Sequence, residues 1–310
     1  MFQKLFKNLM LLGLLATIAS CDSQSTQISS AEPTAPPTGK ALVIADVSNN
    51  PAKKIKRYQP MADYLAKNLS NFDIGIGEVK VAGDLETIAS WLKSGEVDIY
   101  FDSPYPAMRV SQLSGAQAIL RRWKDRTPDY YTIIFTMGDR DINSLEDLKG
   151  KTISFDEPNS TSGYMLPAAY LIEAGLNPVE KNSAADTVGD NEVGYVFSDD
   201  DENTIQWVIS GKVAAGALDI GTFEEIPPQS RAAMKVLAET EKVARHIVMV
   251  RPDMDPEMVA ALKTILLEMD KTPEGKEVLD IFEDTAKFDE FPPEASFQRM
   301  RELYEKVENR

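Results

Sequence analysis

Short apolar runs alternate with amphipathic segments along the first third of the chain. Three of these runs predict strands, at residues 41–46, 74–81 and 97–101. Residues 60–68 and 85–92 carry apolar side chains at helical spacing and predict helices, whereas Pro51 and residues 53–58 are expected in the loop after the first strand. The alternation predicts a parallel sheet with right-handed crossovers, in which ligands lie beyond the carboxyl ends of the strands.

The same pattern continues to the end of the chain with more polar interruptions. Further strands are predicted at residues 118–120, 131–137, 151–155, 213–218, 236–237 and 247–250, whereas residues 186–203 are expected to be a polar loop region that residues 193–197 interrupt. Helices are predicted at residues 168–174, 204–209, 257–269, 273–282 and 293–307. Residues 102–106 interrupt the third strand and are expected to form a loop at its carboxyl end. The chain is therefore predicted to be an α/β protein.

One polar stretch, residues 156–167, lies between a predicted strand and a predicted helix. It contains Asn159, Ser160, Thr161 and Ser162, whose side-chain oxygens suit the free N–H groups of a helix start. Hydroxyl groups and unpaired N–H groups at the positive end of a helix dipole form an anion site, and Gly163 lets backbone approach a ligand closely. The alternative is an ordinary polar connection between strand and helix.

The amino terminus has the features of a secretory signal. Lys4 and Lys7 precede a short apolar run, and small residues precede Cys21, the single cysteine of the chain. This arrangement resembles a bacterial lipobox, in which the cysteine is lipidated and becomes the new amino terminus, and Asp22 would then favour retention at the inner membrane. The alternative is an ordinary signal with an incidental cysteine. Residues 21–40, rich in Ser, Thr, Pro and Ala, are expected to be a flexible tether.

The charge of the chain excludes one class of partner. The formal net charge is −16 over 310 residues. Such a surface repels nucleic acid and anionic lipid, which argues against a role in binding DNA or RNA. It also leads to the expectation that an anionic ligand is held by local dipoles and not by a positive field.

Several sequence fragments together resemble one protein family. They are PMADYL at 60–65, SGEVDI at 94–99, SPY at 103–105, SLEDLKGK at 144–151, NSTSGY at 159–164 with Pro167, ISGKVAA at 209–215 and VRPDM at 250–254. The chain resembles the phosphate, phosphite and phosphonate substrate-binding subunits of ABC importers over roughly residues 41 to 305. The NSTSGY stretch followed by proline is the most specific part of this likeness.

The resemblance implies a two-lobe type II periplasmic-binding-protein fold, each lobe a mixed, mostly parallel sheet flanked by helices. The chain would cross between lobes near residues 137–140 and 240–245. Lobe one would then comprise residues 41–137 plus 245–310, and lobe two residues 138–244. Residues 1–20 would be the lipoprotein signal peptide.

The resemblance also implies which residues bind the ligand. Carried over position by position, they are Tyr58, Ser103, Tyr105, Ser160, Thr161, Ser162 and Asp219. The hydroxyls of residues 160–162 would hold the oxygens of the anion, and Asp219 would receive a proton from P–OH or from an amine.

The implied function is that of a lipid-anchored solute-binding protein on the periplasmic side of the cell membrane. It would bind a phosphorus oxyanion, deliver it to an ABC permease, and act as a monomer without cofactor, metal or nucleic acid. One alternative is a ligand-sensing binding module that is not coupled to transport. A catalytic alternative would need an acid/base pair, and Asp219 with Asp201 or Glu202 is the candidate pair.

Two departures from the family pattern indicate a more acidic pocket. Residues 199–203, DDDEN, stand where the family commonly has a His-Glu or His-Asp pair, and Asp102-Ser103 stands where it favours Gly-Pro. A protonated or amine-bearing ligand suits such a pocket. The acidic run 199–202 is expected to be a solvated turn, with a calcium loop as the alternative. His246, the single histidine, is expected to have a structural or surface role.

Overall fold

A computed structural model of the chain describes residues 39–292 and 297–309. The predicted signal peptide, Cys21 and the tether up to residue 38 lie outside the described residues. Among the helices that are described, none has both the length and the apolar character needed to cross a membrane.

The strands are numbered in chain order. They are β1 Lys40–Val47, β2 Ile74–Ala82, β3 Ile99–Asp102, β4 Gln117–Arg122, β5 Asp129–Tyr130, β6 Thr132–Met137, β7 Thr152–Phe155, β8 Pro178–Glu180, β9 Val193–Phe197, β10 Ala215–Asp219, β11 Met234–Glu239, β12 Val243–Ala244, β13 His246–Val250 and β14 Phe288–Asp289.

The helices are numbered in the same way. They are α1 Pro51–Asn68, α2 Leu85–Ser94, α3 Pro104–Ser114, α4 Leu166–Glu173, α5 Asp201–Ser210, α6 Ile220–Glu225, α7 Pro228–Arg231, α8 Pro256–Glu268, α9 Pro273–Ile281 and α10 Phe297–Glu308. A wide turn with π-type hydrogen bonding, Thr161–Met165, leads directly into α4.

Most strands belong to two six-stranded mixed sheets flanked by helices. The first sheet has the order β14-β4-β13-β3-β1-β2 and the second has the order β11-β6-β10-β7-β9-β8. In the first sheet β2, β1 and β3 run parallel, which confirms the prediction from the strand–helix alternation. We call the first sheet with its helices the first lobe and the second sheet with its helices the second lobe.

The chain passes between the two lobes through a pair of short strands. β5 and β12 pair with each other in an antiparallel manner, outside both six-stranded sheets. The second crossing falls within the predicted residues 240–245. The first crossing lies earlier than the predicted residues 137–140, because β6 pairs with β10 and β11 in the second sheet. Residues 132–137, assigned to lobe one from the sequence, therefore lie in the second lobe.

Two local predictions in the first lobe are wrong. Residues 53–58 are not a loop, because α1 begins at Pro51, with the side chain of Asn50 accepting from the N–H of Lys53. Pro60 lies inside this helix, where it lacks the N–H that would bond the preceding turn. The expected loop at residues 103–105 is the start of α3, with Pro104 in the first helical turn, a position that proline favours.

β1 is buried on both faces, which explains its continuous apolar sequence. Leu42 and Ile44 pack in a cluster with Tyr58 and Met61 of α1, whereas Val43 packs in a cluster on the opposite face with residues of α2. The strand is thereby held between two helical layers. This places its carboxyl end, at Asp46 and Val47, at a fixed position facing the second lobe.

α10 contacts both lobes. The hydroxyl of Tyr304 donates to Gln112 of α3 at 2.8 Å, and Glu308 accepts a bond of 2.7 Å from the hydroxyl of Tyr105. On the other side, Arg299 donates to Glu241 at 3.0 Å and 3.1 Å. The helix therefore spans from α3 of the first lobe to the crossing segment before β12.

Candidate anion-binding site

A polar cavity of about 260 Å³ lies between the two lobes. The carboxyl ends of β1 and β3 border it from one side and the turn after β7 from the other. Its lining residues are Asp46, Val47, Lys54, Asp102, Ser103, Lys124, Tyr130, Ser160, Thr161, Ser162, Arg245, His246 and Glu283. A larger groove of about 400 Å³ on the second lobe has Glu202 and Glu225 in its lining but no lysine or arginine. The cavity between the lobes is thus the better candidate for an anion.

The wide turn at the start of α4 supplies the hydroxyl groups of the second lobe. The side chain of Ser160 caps the turn by accepting from the N–H of Gly163 at 2.9 Å. A Cβ atom on Gly163 would lie 2.3 Å from the Cβ of Asp156, so only glycine fits there. Gly163 therefore allows the approach of the protein's own Asp156 loop. This packing fixes residues 160–162 at the rim of the cavity.

Thr161 links the two lobes directly. Its hydroxyl oxygen accepts from the backbone N–H of Tyr105 at 2.8 Å, and its hydroxyl donates to Ser103 Oγ at 3.0 Å. The side chain of Thr161 is buried, because the residue is only 1% exposed. In this geometry the hydroxyl groups of Thr161 and Ser103 are engaged with each other across the cleft. Ser160 and Ser162 are the other members of the predicted hydroxyl set at the cavity.

Three cationic side chains line the cavity. Lys54 pairs with Asp46 at 2.6 Å and with Glu283 at 2.8 Å, so its charge is balanced. Arg245 pairs with Asp125 at 2.8 Å. The ammonium of Lys124 lies 3.9 Å from that same Asp125 carboxylate, and burial together with Arg245 lowers its pKa. Lys124 is therefore the cation with the weakest counter-ion in the cavity.

The cavity offers cationic side chains in addition to the local dipoles that were expected to hold an anion. The net charge of the chain is strongly negative, yet lysine and arginine side chains converge at the cavity. Charge-assisted hydrogen bonds from such groups contribute about 1.5–3 kcal/mol each. Asp46, Asp102 and Glu283 line the cavity as well, so cationic and anionic side chains are equal in number at the site.

The acidic residues of the cavity have different environments. Burial alone would raise the pKa of Glu283, but Arg122, Lys124 and Lys54 outweigh burial and lower it to about 2. Burial raises the pKa of Asp102 to about 6, and the nearby Asp46 carboxylate adds to the rise. Glu283 is therefore a firmly ionised counter-ion, whereas Asp102 gains or loses a proton near neutral pH.

His246 lies at the cavity and not at the surface. It is 7% exposed at the start of β13, and in the described chain its Nδ1 atom has no hydrogen-bond partner. Burial lowers its pKa well below the usual range, and the cations Lys124, Arg122 and Arg245 add to this. The imidazole is thus neutral, and its buried place fits a structural role but not a surface role.

The predicted site residues fall into two groups. Ser103, Ser160, Thr161 and Ser162 line the cavity, whereas Tyr58, Tyr105 and Asp219 are not among its lining residues.

Tyr58 and Tyr105, the two predicted aromatic site residues, lie behind residues that line the cavity. Tyr58 is fully buried with its ring 4.6 Å from that of Phe282, and its hydroxyl lies 3.4 Å from Glu283. The hydroxyl of Tyr105 donates to Glu308, and its ring packs 5.2 Å from Tyr304. Tyr58 thus packs beneath the cavity and contacts Glu283 of its lining. Tyr105 contacts the site through its backbone N–H, which donates to Thr161.

Asp219 caps a helix. It accepts from the N–H of Gly221 at 2.9 Å and from the hydroxyl of Thr222 at 2.7 Å, at the start of α6. The same hydroxyl lies 3.3 Å from Asp201. The pair considered for acid/base chemistry, Asp219 and Asp201, is therefore bridged by Thr222 and lies outside the cavity lining.

The acidic run at residues 199–202 serves mainly as a helix start. Asp200 caps α5 by accepting from the N–H of Glu202 at 2.7 Å. Burial and neighbouring carboxylates raise the pKa of Asp201 to about 6 and that of Asp156 to about 7. Within the described residues, no group of three or more His, Cys, Asp or Glu side chains is placed to hold a metal ion.

The three cations of the cavity and the carboxyl groups of Asp46 and Glu283 were not among the site residues predicted from the sequence. Lys54 comes from α1, Lys124 follows β4 and Arg245 precedes β13. These positions are far apart in the chain and carry no shared motif. Their one local signal is that Lys124 and Arg245 stand next to strand ends, where α/β sheets place ligands.

Comparison with known proteins identifies the relatives of this chain. The sequence profile of a family described as ABC transporter, phosphonate, periplasmic substrate-binding protein matches residues 45–295. The chain is 26% identical to the phosphate-import protein PhnD of Mycolicibacterium smegmatis over 228 residues, which are 70% of this chain and 69% of that protein. It is 23% identical to the phosphonates-binding periplasmic protein of Escherichia coli over 254 residues, 78% of this chain and 70% of that one.

A solved structure is similar over most of the chain. XAC2383 from Xanthomonas citri, bound to ATP, has a TM-score of 0.78 and 28% sequence identity. The match covers 86% of this chain and 97% of that one. A structure of the same protein bound to chloride ion matches equally well, with a TM-score of 0.78 and 29% identity.

Proposed function

Because the chain belongs to the family of periplasmic phosphonate-binding proteins of ABC transporters, we propose that it binds a phosphorus oxyanion in the cavity between its lobes. The ligand is a phosphonate, phosphite or phosphate group. Ser160 and Ser162 contact it from the second lobe, and Lys124 and Arg245 provide the opposite charge. The observation that carries this proposal is the convergence of these cations and hydroxyl groups on one polar cavity.

The energetics of the site are compatible with useful affinity. Two charge-assisted hydrogen bonds and the dipoles of the α4 start together contribute roughly 4–6 kcal/mol before the cost of association. Micromolar affinity corresponds to about 8 kcal/mol after the cost of association, so the ligand must form further bonds. The Ser103 and Thr161 hydroxyls would provide two of them once the ligand takes the place of their mutual bond.

The size of the cavity favours a small ligand. Its volume of about 260 Å³ lies below the roughly 300–1,000 Å³ usual for drug-sized ligands. A small oxyanion suits this volume, whereas part of a whole nucleotide, such as the ATP bound by XAC2383, would lie outside it. Among the described residues, the apolar part of the lining consists of Val47 and the Tyr130 ring, so a long carbon substituent finds little apolar surface there.

The amino-terminal residues complete the proposal. Lipidation of Cys21 tethers the protein to the periplasmic side of the cell membrane, and the tether lets the folded part reach an ABC permease in the inner membrane. Mass spectrometry of the protein purified from membranes tests this directly. A diacylated residue 21 at the mature amino terminus is expected, and a mature chain that begins elsewhere without lipid contradicts the anchor.

A thermal-shift panel tests the ligand class. The chain from residue 21 onward is heated with phosphate, phosphite, methylphosphonate, an aminoalkylphosphonate and chloride at equal ionic strength. A ligand present at 100 times its dissociation constant stabilises the protein by about 2.7 kcal/mol, which raises the melting temperature by several degrees. A rise with at least one phosphorus oxyanion and none with chloride is expected. A flat response to all four phosphorus oxyanions contradicts the proposed function.

A further inference from the structure

Three carboxyl groups line the cavity, and two of them have cationic partners. Asp46 pairs with Lys54 at 2.6 Å, and Glu283 pairs with Lys54 at 2.8 Å and with Arg122 at 3.3 Å. Asp102 differs. Among the described residues it has no ion pair, and its carboxyl oxygens accept only from neutral donors of its own strand end.

The neutral donors to Asp102 are well defined. Its Oδ1 atom accepts from the backbone N–H of Ser103 at 2.7 Å, and the Ser103 hydroxyl lies 3.3 Å away. Its Oδ2 atom accepts from the hydroxyl of Tyr100, which is fully buried in the core. These bonds fix the orientation of the carboxyl group at the carboxyl end of β3. A carboxylate oxygen has two lone pairs, so each oxygen keeps acceptor capacity for a ligand.

A carboxylate held at an anion-binding cavity repels the ligand unless a proton lies between them. With a shared proton the contact becomes a short, strong hydrogen bond between two oxygens. Charged groups from other segments also face the Asp102 carboxyl group. Asp46 and Lys54 face it from β1 and α1, Glu283 faces it from the segment after α9, and Lys124 and Arg245 face the cavity from the segments beside β4 and β13.

We propose that Asp102 is a specificity-determining residue that accepts a P–OH hydrogen of the bound oxyanion, so that the site selects a protonated oxyanion, above all hydrogenphosphate, over fully ionised ones. This inference rests on the proposed function and narrows its substrate class. The ligand donates its P–OH hydrogen to Asp102 and places its unprotonated oxygens towards Lys124 and Arg245. An oxyanion without such a hydrogen binds only when the Asp102 carboxyl itself carries the proton.

The three probe anions differ in the proton they carry. Hydrogenphosphate keeps one P–OH group throughout the neutral and mildly alkaline range. Methylphosphonate loses its last P–OH hydrogen as pH rises through this range, and sulfate has none. The ligand proton is therefore present on phosphate under conditions in which the other two anions lack it.

Isothermal titration calorimetry at pH 6 and pH 8.5 distinguishes these cases. For the mature chain, the affinity for methylphosphonate and sulfate is expected to fall by about tenfold per pH unit once both the ligand and Asp102 are ionised. The affinity for phosphate is expected to change several-fold at most. Deprotonation of Lys124 would lower the affinity for all three anions alike. The comparison between phosphate and methylphosphonate therefore removes its effect.

The variant Asp102→Asn supplies an N–H donor in place of the carboxylate. It is expected to flatten the pH dependence of methylphosphonate binding and to raise the affinity for sulfate at pH 8.5 by at least tenfold. Glu96→Gln is the control for the loss of one carboxylate of the first lobe, because Glu96 pairs with Lys80 at 3.0 Å and does not line the cavity, and it should keep the wild-type contrast between the anions. Equal pH dependence for phosphate and methylphosphonate in the wild type, or an unchanged contrast in Asp102→Asn, overturns the inference.

A measurement on the unmodified protein covers the case in which the variant does not fold. Calorimetry in two buffers of different ionisation enthalpy counts the protons exchanged on binding. At pH 8.5, methylphosphonate should take up about one proton per molecule bound, and phosphate should take up none. Equal proton counts contradict the role of Asp102 while leaving the proposed function intact. Absence of binding by every oxyanion would instead contradict the proposed function, and the inference with it.

Discussion

At the scale of single residues, Lys124 is the cavity cation whose charge is least compensated by a counter-ion. Its counter-ion Asp125 is 3.9 Å away and already holds Arg245 at 2.8 Å. Burial and the neighbouring Arg245 guanidinium lower its pKa, which means that the surrounding protein compensates its charge poorly. A bound anion would relieve this deficit.

Replacement of Lys124 by Gln is therefore expected to weaken oxyanion binding. The lost charge-assisted bond corresponds to about 1.5–3 kcal/mol, or roughly 10- to 150-fold in affinity. Calorimetric titration with the best ligand of the thermal-shift panel measures it. Lys212→Gln is the control, because Lys212 stacks on Trp207 in the second lobe and does not line the cavity. Equal affinities for the wild type and Lys124→Gln would exclude Lys124 from the site.

Glu283 forms ion pairs with two cations of the first lobe, Lys54 and Arg122. Its side chain is 7% exposed and contacts Lys54 and Arg122, which hold its pKa at about 2, below the ordinary 4.5. Because the folded pKa is depressed, the stabilisation is complete above about pH 5 and is lost as pH falls through 4.5 towards 2. The difference corresponds to about 3 kcal/mol at neutral pH.

Glu283→Gln should accordingly lower the free energy of unfolding by about 3 kcal/mol at pH 7. The deficit relative to wild type should shrink by about 1 kcal/mol at pH 3.5, where the unfolded wild type is largely protonated. Urea unfolding at the two pH values provides the numbers. Glu268→Gln serves as a control, since Glu268 forms an exposed pair with Lys271. A deficit for Glu283→Gln that grows at low pH would contradict the assignment.

At the scale of elements, the wide turn before α4 does two jobs. It presents hydroxyl groups to the cavity, and through Thr161 it fastens the second lobe to the start of α3. Turns with π-type hydrogen bonding are frequent at functional sites. Pro167 at the start of α4 has no N–H to donate, which agrees with an irregular turn immediately before it.

Thr161→Val keeps the shape of the side chain and removes the bonds to Tyr105 and Ser103. We expect a loss of about 1–3 kcal/mol in stability, because the N–H of Tyr105 is left buried without a partner. We also expect a larger radius of gyration in solution scattering of the ligand-free protein. Thr204→Val is the matched control, since Thr204 is equally buried but bonds Ser154 and Ser198 within the second lobe. Identical scattering profiles for wild type and Thr161→Val would rule out a fastening role.

The elements that the sequence predicts correctly are those that a short run of neighbouring residues determines. β1 and β13 have compact apolar runs, and the hydroxyl cluster at residues 160–162 is a recognisable helix start. β9 lies in the stretch expected to be a polar loop region. α1 was predicted to start nine residues late, because the lysine-rich first turns and Pro60 suggest a loop, whereas burial of Tyr58 against Phe101 and Phe282 overrides that signal. The cations of the site were not predictable, because their proximity depends on tertiary packing of three distant segments.

At the scale of the whole molecule, two sheets are joined by the short paired strands β5 and β12. Tyr130 of β5 and the residue after β12, Arg245, stack at 4.6 Å and both line the cavity. α10 adds a second connection between the lobes through Arg299 and Tyr304. The crossing strands are thus both the connection between lobes and part of the site, which suits hinge closure around a ligand.

A crystal structure of the mature chain with inorganic phosphate shows whether the cavity between the lobes binds the oxyanion. We expect one phosphate there, with its oxygens within hydrogen-bond distance of Lys124, Arg245 and the turn at residues 160–162. One oxygen should lie within hydrogen-bond distance of Asp102. A phosphate bound elsewhere on the molecule, or no ligand in the cavity at saturating phosphate and methylphosphonate, would contradict the proposed function.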